Sequence, residues 1–193
     1  MSIDLVSTSA RPLRADARRN REAILQAARA LFAREGVLAS LDRIAMDAKV
    51  GNATLYRNFP TREDLLAALM EADVADAQTQ GRRLQRDCSP RHALAEWLVW
   101  LTWRLRIWRD LPDCIAKART TSDTSMTPAV SVLMVQTAVI VEQASAAGDM
   151  VGSVSASEVF ELITALSWAV DRFGDDEAAA RRRVEIATAG LFT

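Results

Sequence analysis

The residues from Asn52 to Asn58 set two amides, a threonine hydroxyl, a phenol and a guanidinium along seven positions. Such groups recognise polar edges rather than break bonds. An amide can pair bidentately with adenine and a guanidinium with guanine, while a small side chain such as Ala53 suits contact with a thymine methyl. Neutral hydroxyls such as those of Thr54 and Tyr56 suit phosphate oxygens, which fix register without reading sequence. The alternative for Tyr56 is a ring packed between helices with a wet hydroxyl, and for Asn52 and Arg57 an ordinary solvated face. Bond-making chemistry has few candidates. His92 is the single histidine, Cys88 and Cys114 show no CxxC spacing, and neither a Gly-rich phosphate loop nor HExxH is present. No enzymatic activity, cofactor or metal site is expected. His92 reads as a surface or capping residue and the cysteines as inert thiols, with redox sensing as their alternative.

Every segment available to position these groups reads as helix. Ala, Leu, Arg and Glu dominate, Gly and Pro are sparse, and nothing alternates with period two, so the expected class is all-α. A first helix over 16–35 places Ile24, Ala27, Ala28, Leu31 and Phe32 on one face, with Gly36 at its end. Ser40 can cap a second over 40–50, with Leu41, Ile44, Ala45 and Ala48 inward. The third, 52–58, holds Leu55 and Phe59 at i, i+4 for packing and leaves its polar residues around the other sides. Pro60 stops it, and Thr61 with Asp64 can form a capping box for a fourth helix over 61–86. Two short helices joined by a tight turn, the second of them polar, make the layout of a helix-turn-helix.

Downstream, 91–109 is apolar nearly all round and therefore central, with Leu94, Trp97, Leu98, Trp100, Leu101, Trp103, Leu105, Ile107 and Trp108. A polar hinge over 120–127 leads into an apolar helix over 129–146, which Gly148 ends. Helices over 155–170 and 176–191 close the chain. The expected domains are a flexible basic arm, 1–15, a helix-turn-helix domain, 16–60, and a larger helical domain for ligand binding and dimerisation, 61–193.

The net charge of −1 conceals an asymmetry. Residues 1–70 hold 11 Lys/Arg against 8 Asp/Glu, a balance of +3, and residues 71–193 hold 13 against 17, a balance of −4. Five arginines at positions 11, 14, 18, 19 and 21 face only Asp16 in that stretch, an excess suited to phosphates or a minor groove, or else to a solvated tail. With 50% hydrophobic residues the chain can bury a core, and two cysteines do not make a secreted disulfide framework. The N-terminal residues lack the apolar segment of a signal peptide. The apolar run over 130–141 is broken by Ser131, Gln136 and Thr137 and falls short of the roughly 20 residues needed to span a bilayer. A soluble cytoplasmic location, with no membrane partner, is expected.

The run from Ser40 to Ala45, then Val50-Gly-Asn-Ala-Thr-Leu-Tyr-Arg-Asn-Phe-Pro60, then Thr61-Arg-Glu-Asp-Leu65, closely resembles the N-terminal domain of the TetR family of one-component bacterial repressors. The resemblance covers 18–66, while the remaining helices match in number, length and apolarity. It implies that the third helix lies in the major groove, with Asn52, Ala53 and Arg57 toward bases and Thr54, Tyr56, Asn58 and Arg62 toward the backbone. Arg62 adds its charge to a helix first turn whose free N–H groups already favour phosphate. The sequence departs from the family pattern where Lys49 replaces a turn glycine, Gly51 replaces a Ser or Thr cap, and Asn58 replaces His. A positive φ at Lys49 is uncommon for a residue with a Cβ. Asp42 falls where the family can place a groove-facing residue, and a carboxylate there either accepts from cytosine or repels the backbone.

The resemblance also implies a C-terminal ligand pocket and a homodimer formed through the last two helices, with two recognition helices set to read a palindromic operator in double-stranded DNA. For the pocket, Trp97, Trp100, Arg104 and Trp108 share one helical face, a candidate aromatic-walled site for an apolar or aromatic small-molecule effector, with Arg104 fixing an acidic or carbonyl group. The alternative is that the tryptophans are core and Arg104 pairs with an acidic neighbour. The expected function is a sequence-specific repressor released by its effector. The alternatives are an activator and a helical small-molecule-binding protein without DNA binding.

Overall fold

A computed structural model describes residues 10–106, 110–120, 125–152 and 154–193. Among them no strand forms; the one extended pairing is an isolated antiparallel bridge between Met150 and Phe192. The helices are α1 (Ala10–Glu35), α2 (Leu41–Asp47), α3 (Asn52–Asn58), α4 (Arg62–Asp87), α5 (Pro90–Leu105), α6 (Leu111–Thr120), α7 (Thr127–Ala146), α8 (Ala156–Phe173) and α9 (Glu177–Thr188), followed by a 3₁₀ turn, Ala189–Leu191. The all-α class and the order of a helix-turn-helix followed by a larger helical domain hold.

Two elements differ from the sequence reading. The first helix starts at Ala10 rather than Asp16, because Pro12 occupies a first turn in which backbone N–H groups have no intrahelical partner to lose. Residues 1–9 of the expected arm lie outside the described residues. The second difference is α6, which lies in a stretch given no helix above. Its Leu111 and Ile115 stand at i, i+4 and are both buried, and Pro112 sits in its first turn.

The N-terminal core forms where α1, α2 and α3 meet one another and α1 meets α4. Ile24, Ala28, Leu31 and Phe32 of α1, Ile44 and Ala45 of α2, Leu55 of α3, and Leu65, Leu66 and Leu69 of α4 are all buried. The core continues without a break into the larger half. There α5 touches α4, α7, α8 and α9, as its all-round apolarity requires. By length and composition α7 is apolar enough to cross a membrane. Its apolarity has a local reason: Val130, Leu133, Ile140, Val141 and Ala144 are buried where α7 meets α4, α5, α6 and α8.

Candidate nucleic-acid interface

The turn that aims α3 is built from backbone hydrogen bonds. The Lys49 N–H donates to Met46 O at 3.0 Å and the Val50 N–H to Ala45 O at 3.0 Å, the paired closure of a Schellman motif. That motif needs a left-handed residue, and Lys49 supplies it at φ 58°. The turn thus keeps the geometry that a glycine would give, at the cost of a Cβ in a crowded region of backbone space. Gly51 caps α3 with no side-chain bond, and its carbonyl accepts from Thr54 and Leu55.

Leu55 and Phe59 anchor α3 to the core, and the rest of the helix follows from that register. Asn52, Ala53, Tyr56 and Arg57 are exposed, with Thr54 and Asn58 half-buried. The guanidinium of Arg57 donates to Thr54 Oγ1 at 3.2 Å, and Asn58 Nδ2 donates to the Thr54 carbonyl at 2.8 Å. Asn52 Nδ2 donates to Asp42 Oδ1 across the two helices at 2.9 Å. Six of the seven expected DNA-facing side chains therefore share α3, with Asn52, Ala53, Tyr56 and Arg57 exposed and Thr54 and Asn58 half-buried. Asn58 is tied at the helix end.

Arg62, expected to face the DNA backbone, has one nitrogen engaged within the fold. Its Nη1 donates to the carbonyls of Val37 at 2.5 Å and Ala39 at 2.7 Å, so this nitrogen clamps the loop between α1 and α2 rather than facing solvent. The physical reason is that the loop's carbonyls lie outside helix hydrogen bonding and take a charged donor when one is at hand. Beside it, Thr61 and Asp64 form the expected capping box, with Asp64 N–H donating to Thr61 Oγ1 at 3.1 Å and Thr61 N–H to Asp64 Oδ2 at 2.9 Å. The Ser125 hydroxyl, just ahead of α7, donates to the other Asp64 oxygen. That bond, followed by those from Thr61, holds the Asp64 carboxyl below its usual range. Of the basic run, Arg21 lies over the Phe59 ring at 4.9 Å, Arg18 pairs with Glu22 at 3.8 Å and Arg19 with Asp16.

The expected effector wall divides in two. Trp97 is fully buried, its indole N–H donates to Thr137 Oγ1 at 3.0 Å, and it stacks on Trp100 with centroids 5.5 Å apart. It is core, because α5 is enclosed on several sides and this side faces α7. Arg104 pairs with Asp73 at 2.6 Å and Asp76 at 3.4 Å and lies over Trp100 at 5.5 Å, which is the acidic pairing named above as the alternative. Trp100 and Arg104 do border a cleft with Met70, Val74 and Leu133, but its free space is only about 20 Å³, room for one water. Trp108 lies outside the described residues. A roomier open groove of about 400 Å³ runs between α5 and α9, where the exposed His92 lies near Glu96 and Arg181. Arg181 grips Glu96 through two bonds of 2.6 and 2.9 Å and holds that carboxyl below its usual range.

Sequence reasoning missed the partner of Asn52 and the inward role of Arg62. Periodicity carries no signal for either, since each bond joins segments 10 or more residues apart.

Two family profiles match the chain. One, described as bacterial regulatory proteins of the tetR family, matches residues 24–69, and the other, the C-terminal domain of SbtR-like transcriptional regulators, matches residues 89–193. An HTH-type transcriptional regulator of Staphylococcus aureus is 37% identical over 76 residues, 39% of this chain; the chain spans 41% of that relative's length. A TetR transcriptional regulator from Streptomyces coelicolor has a similar structure, with 28% identity, a TM-score of 0.58, and coverage of 89% of this chain and 98% of that one. The Bacillus subtilis regulator FadR, solved in complex with stearoyl-CoA, shares the fold at 16% identity and a TM-score of 0.64, over 88% and 98% of the two chains.

Proposed function

The chain belongs to the TetR family of bacterial regulatory proteins, and we propose that it is a sequence-specific repressor that binds a palindromic operator as a homodimer and is released by a small-molecule effector. One observation carries the reading. Both apolar anchors of α3 are buried while Asn52, Ala53, Tyr56 and Arg57 are exposed, so the helix presents base-reading and phosphate-binding chemistry on a surface that nothing in the core needs. Residues 16–60 form the reading unit and 61–193 the unit that pairs and responds, in the cytoplasm where the operator lies.

The pairing surface is supplied by α8 and α9. Trp168, Phe173 and Ile186 are 40%, 68% and 66% exposed, a large apolar display for two neighbouring helices. Two copies packed there as four helices set their recognition helices on one side of the duplex.

The effector reading rests on Trp100 and Arg104, and it is supported by a regulator of the same fold, FadR, having been solved in complex with stearoyl-CoA. A cleft of about 20 Å³ admits no organic ligand as it stands. Binding therefore has to part α4, α5 and α7, and an effector that favours the parted form shifts the protein away from whichever spacing the operator selects.

The test is selection of bound duplexes from a random pool by the full-length protein, then a screen of aromatic and acyl compounds for release. The expected result is a palindromic consensus whose affinity falls steeply with salt. Absence of any enriched sequence overturns the reading.

A further inference from the structure

The hydrogen bond between Asn52 and Asp42 has a consequence for what α3 can read, and it rests on the reading of α3 as the DNA-facing helix. Asp42 sits in the first turn of α2, exposed, with its carboxylate 2.9 Å from the Asn52 amide nitrogen. An ionised carboxylate only accepts hydrogen bonds. It therefore fixes which end of the amide faces it: the nitrogen turns toward Asp42, and a flipped amide would set three oxygens against one another. One amide proton is consumed. The pair then offers outward the Asn52 oxygen, the second Asp42 oxygen and a single remaining N–H.

We propose that Asp42 is a specificity-determining residue that acts through Asn52, making the pair select a base with an exposed amino group at one position of each half-site. Adenine N6 and cytosine N4 donate in the major groove, whereas guanine O6 and N7 and thymine O4 only accept. An outward surface richer in acceptors than donors suits the first two and opposes the others. An asparagine free to flip can turn either its NH2 or its oxygen to a base edge and so discriminates less between donor and acceptor bases. The negative charge also keeps this part of the surface from settling on a phosphate, so that the contact is made to a base or not at all.

Three full-length variants separate this from a bare charge or helix-end effect. Asp42→Ala removes the carboxylate. Asp42→Glu keeps the charge at the start of α2, where an acid favours the helix dipole, but moves the carboxylate by one methylene. Asn52→Ala removes the reader itself. Each is compared with wild type by duplex selection and by affinities for the selected site and its single-position substitutions. The expected result is that Asp42→Ala and Asp42→Glu both lose roughly tenfold of discrimination at the same single position that Asn52→Ala affects, with preferences elsewhere kept. A uniform change in affinity for all duplexes, with the consensus intact in both Asp42 variants, overturns the proposal and leaves Asp42 a surface charge. Loss of preference at a position different from that of Asn52→Ala also overturns it. If wild type enriches no sequence at all, the DNA-binding reading has failed, and this inference falls with it for that distinguishable reason.

Discussion

Lys49 shows how one residue can carry a strained conformation for the sake of a turn. The ends of α7 and α8 are closed by the same pair of backbone bonds, and there the left-handed position is glycine, Gly148 and Gly174. At the end of α2 it is Lys49. A Cβ in that region costs on the order of 1 kcal/mol, because it crowds the carbonyl that follows. Lys49→Gly is accordingly expected to stabilise the protein by about 1 kcal/mol, read as a higher urea midpoint at unchanged slope. An unchanged or lower midpoint would show that the lysine side chain returns in packing what its backbone loses. Arg62 teaches the complementary lesson. A guanidinium in the first turn of a helix invites assignment to phosphate, yet loop carbonyls of Val37 and Ala39, more than 20 residues earlier, lie closer to hand.

Among the elements, α4 links the two halves. Its first turns complete the N-terminal core, its capping box closes its start, and Ser125 from the segment before α7 reaches the same carboxylate. Hydrogen bonds from Ser125 and then Thr61 hold the Asp64 carboxyl below the ordinary carboxylate range, so its contribution is fully present above that range and is lost as pH falls through the lower folded value. Asp64→Ala is expected to lower stability at neutral pH by about 1 kcal/mol, the usual worth of a helix cap. The gap between variant and wild type should narrow as the pH falls below the ordinary carboxylate range, in denaturant titrations repeated across pH. A gap that persists in acid would mean that the side chain matters by packing and not by charge. The capping box itself was plain from Thr61 and Asp64 at the right spacing, while the Ser125 bond was not, since 61 residues separate its ends.

For the molecule as a whole, the proposed pairing surface is the apolar display on α8 and α9. Arg172 lies over Trp168 at 5.5 Å and Arg183 over Phe173 at 5.1 Å, so both aromatic rings are covered on one side by cations that remain partly in water. Ile186 has no such cover among the described residues. Ile186→Glu places a charge on the display without touching the core. It is expected to shift sedimentation from dimer to monomer and to weaken operator binding about 100-fold or more, since the second recognition helix is no longer delivered with the first. A dimer that survives this change would move the interface elsewhere.

The sequence by itself determined the helical class, the bounds of α3, the burial of Leu55 and Phe59, the capping of α4 and the central place of α5. All of these depend on propensity, on capping residues or on i, i+4 spacing, which act within a turn or two of helix. Tertiary structure alone decided that Asn52 is held by Asp42, that Trp97 spends its indole N–H on Thr137 40 residues away, and that Arg104 is balanced by Asp73. The reason is geometric: a hydrogen bond between separate helices forms only within a few tenths of an ångström and a narrow range of angles. Those are set by how ridges of side chains settle against one another across the whole core, and the hydrophobic period of a single helix does not specify that arrangement.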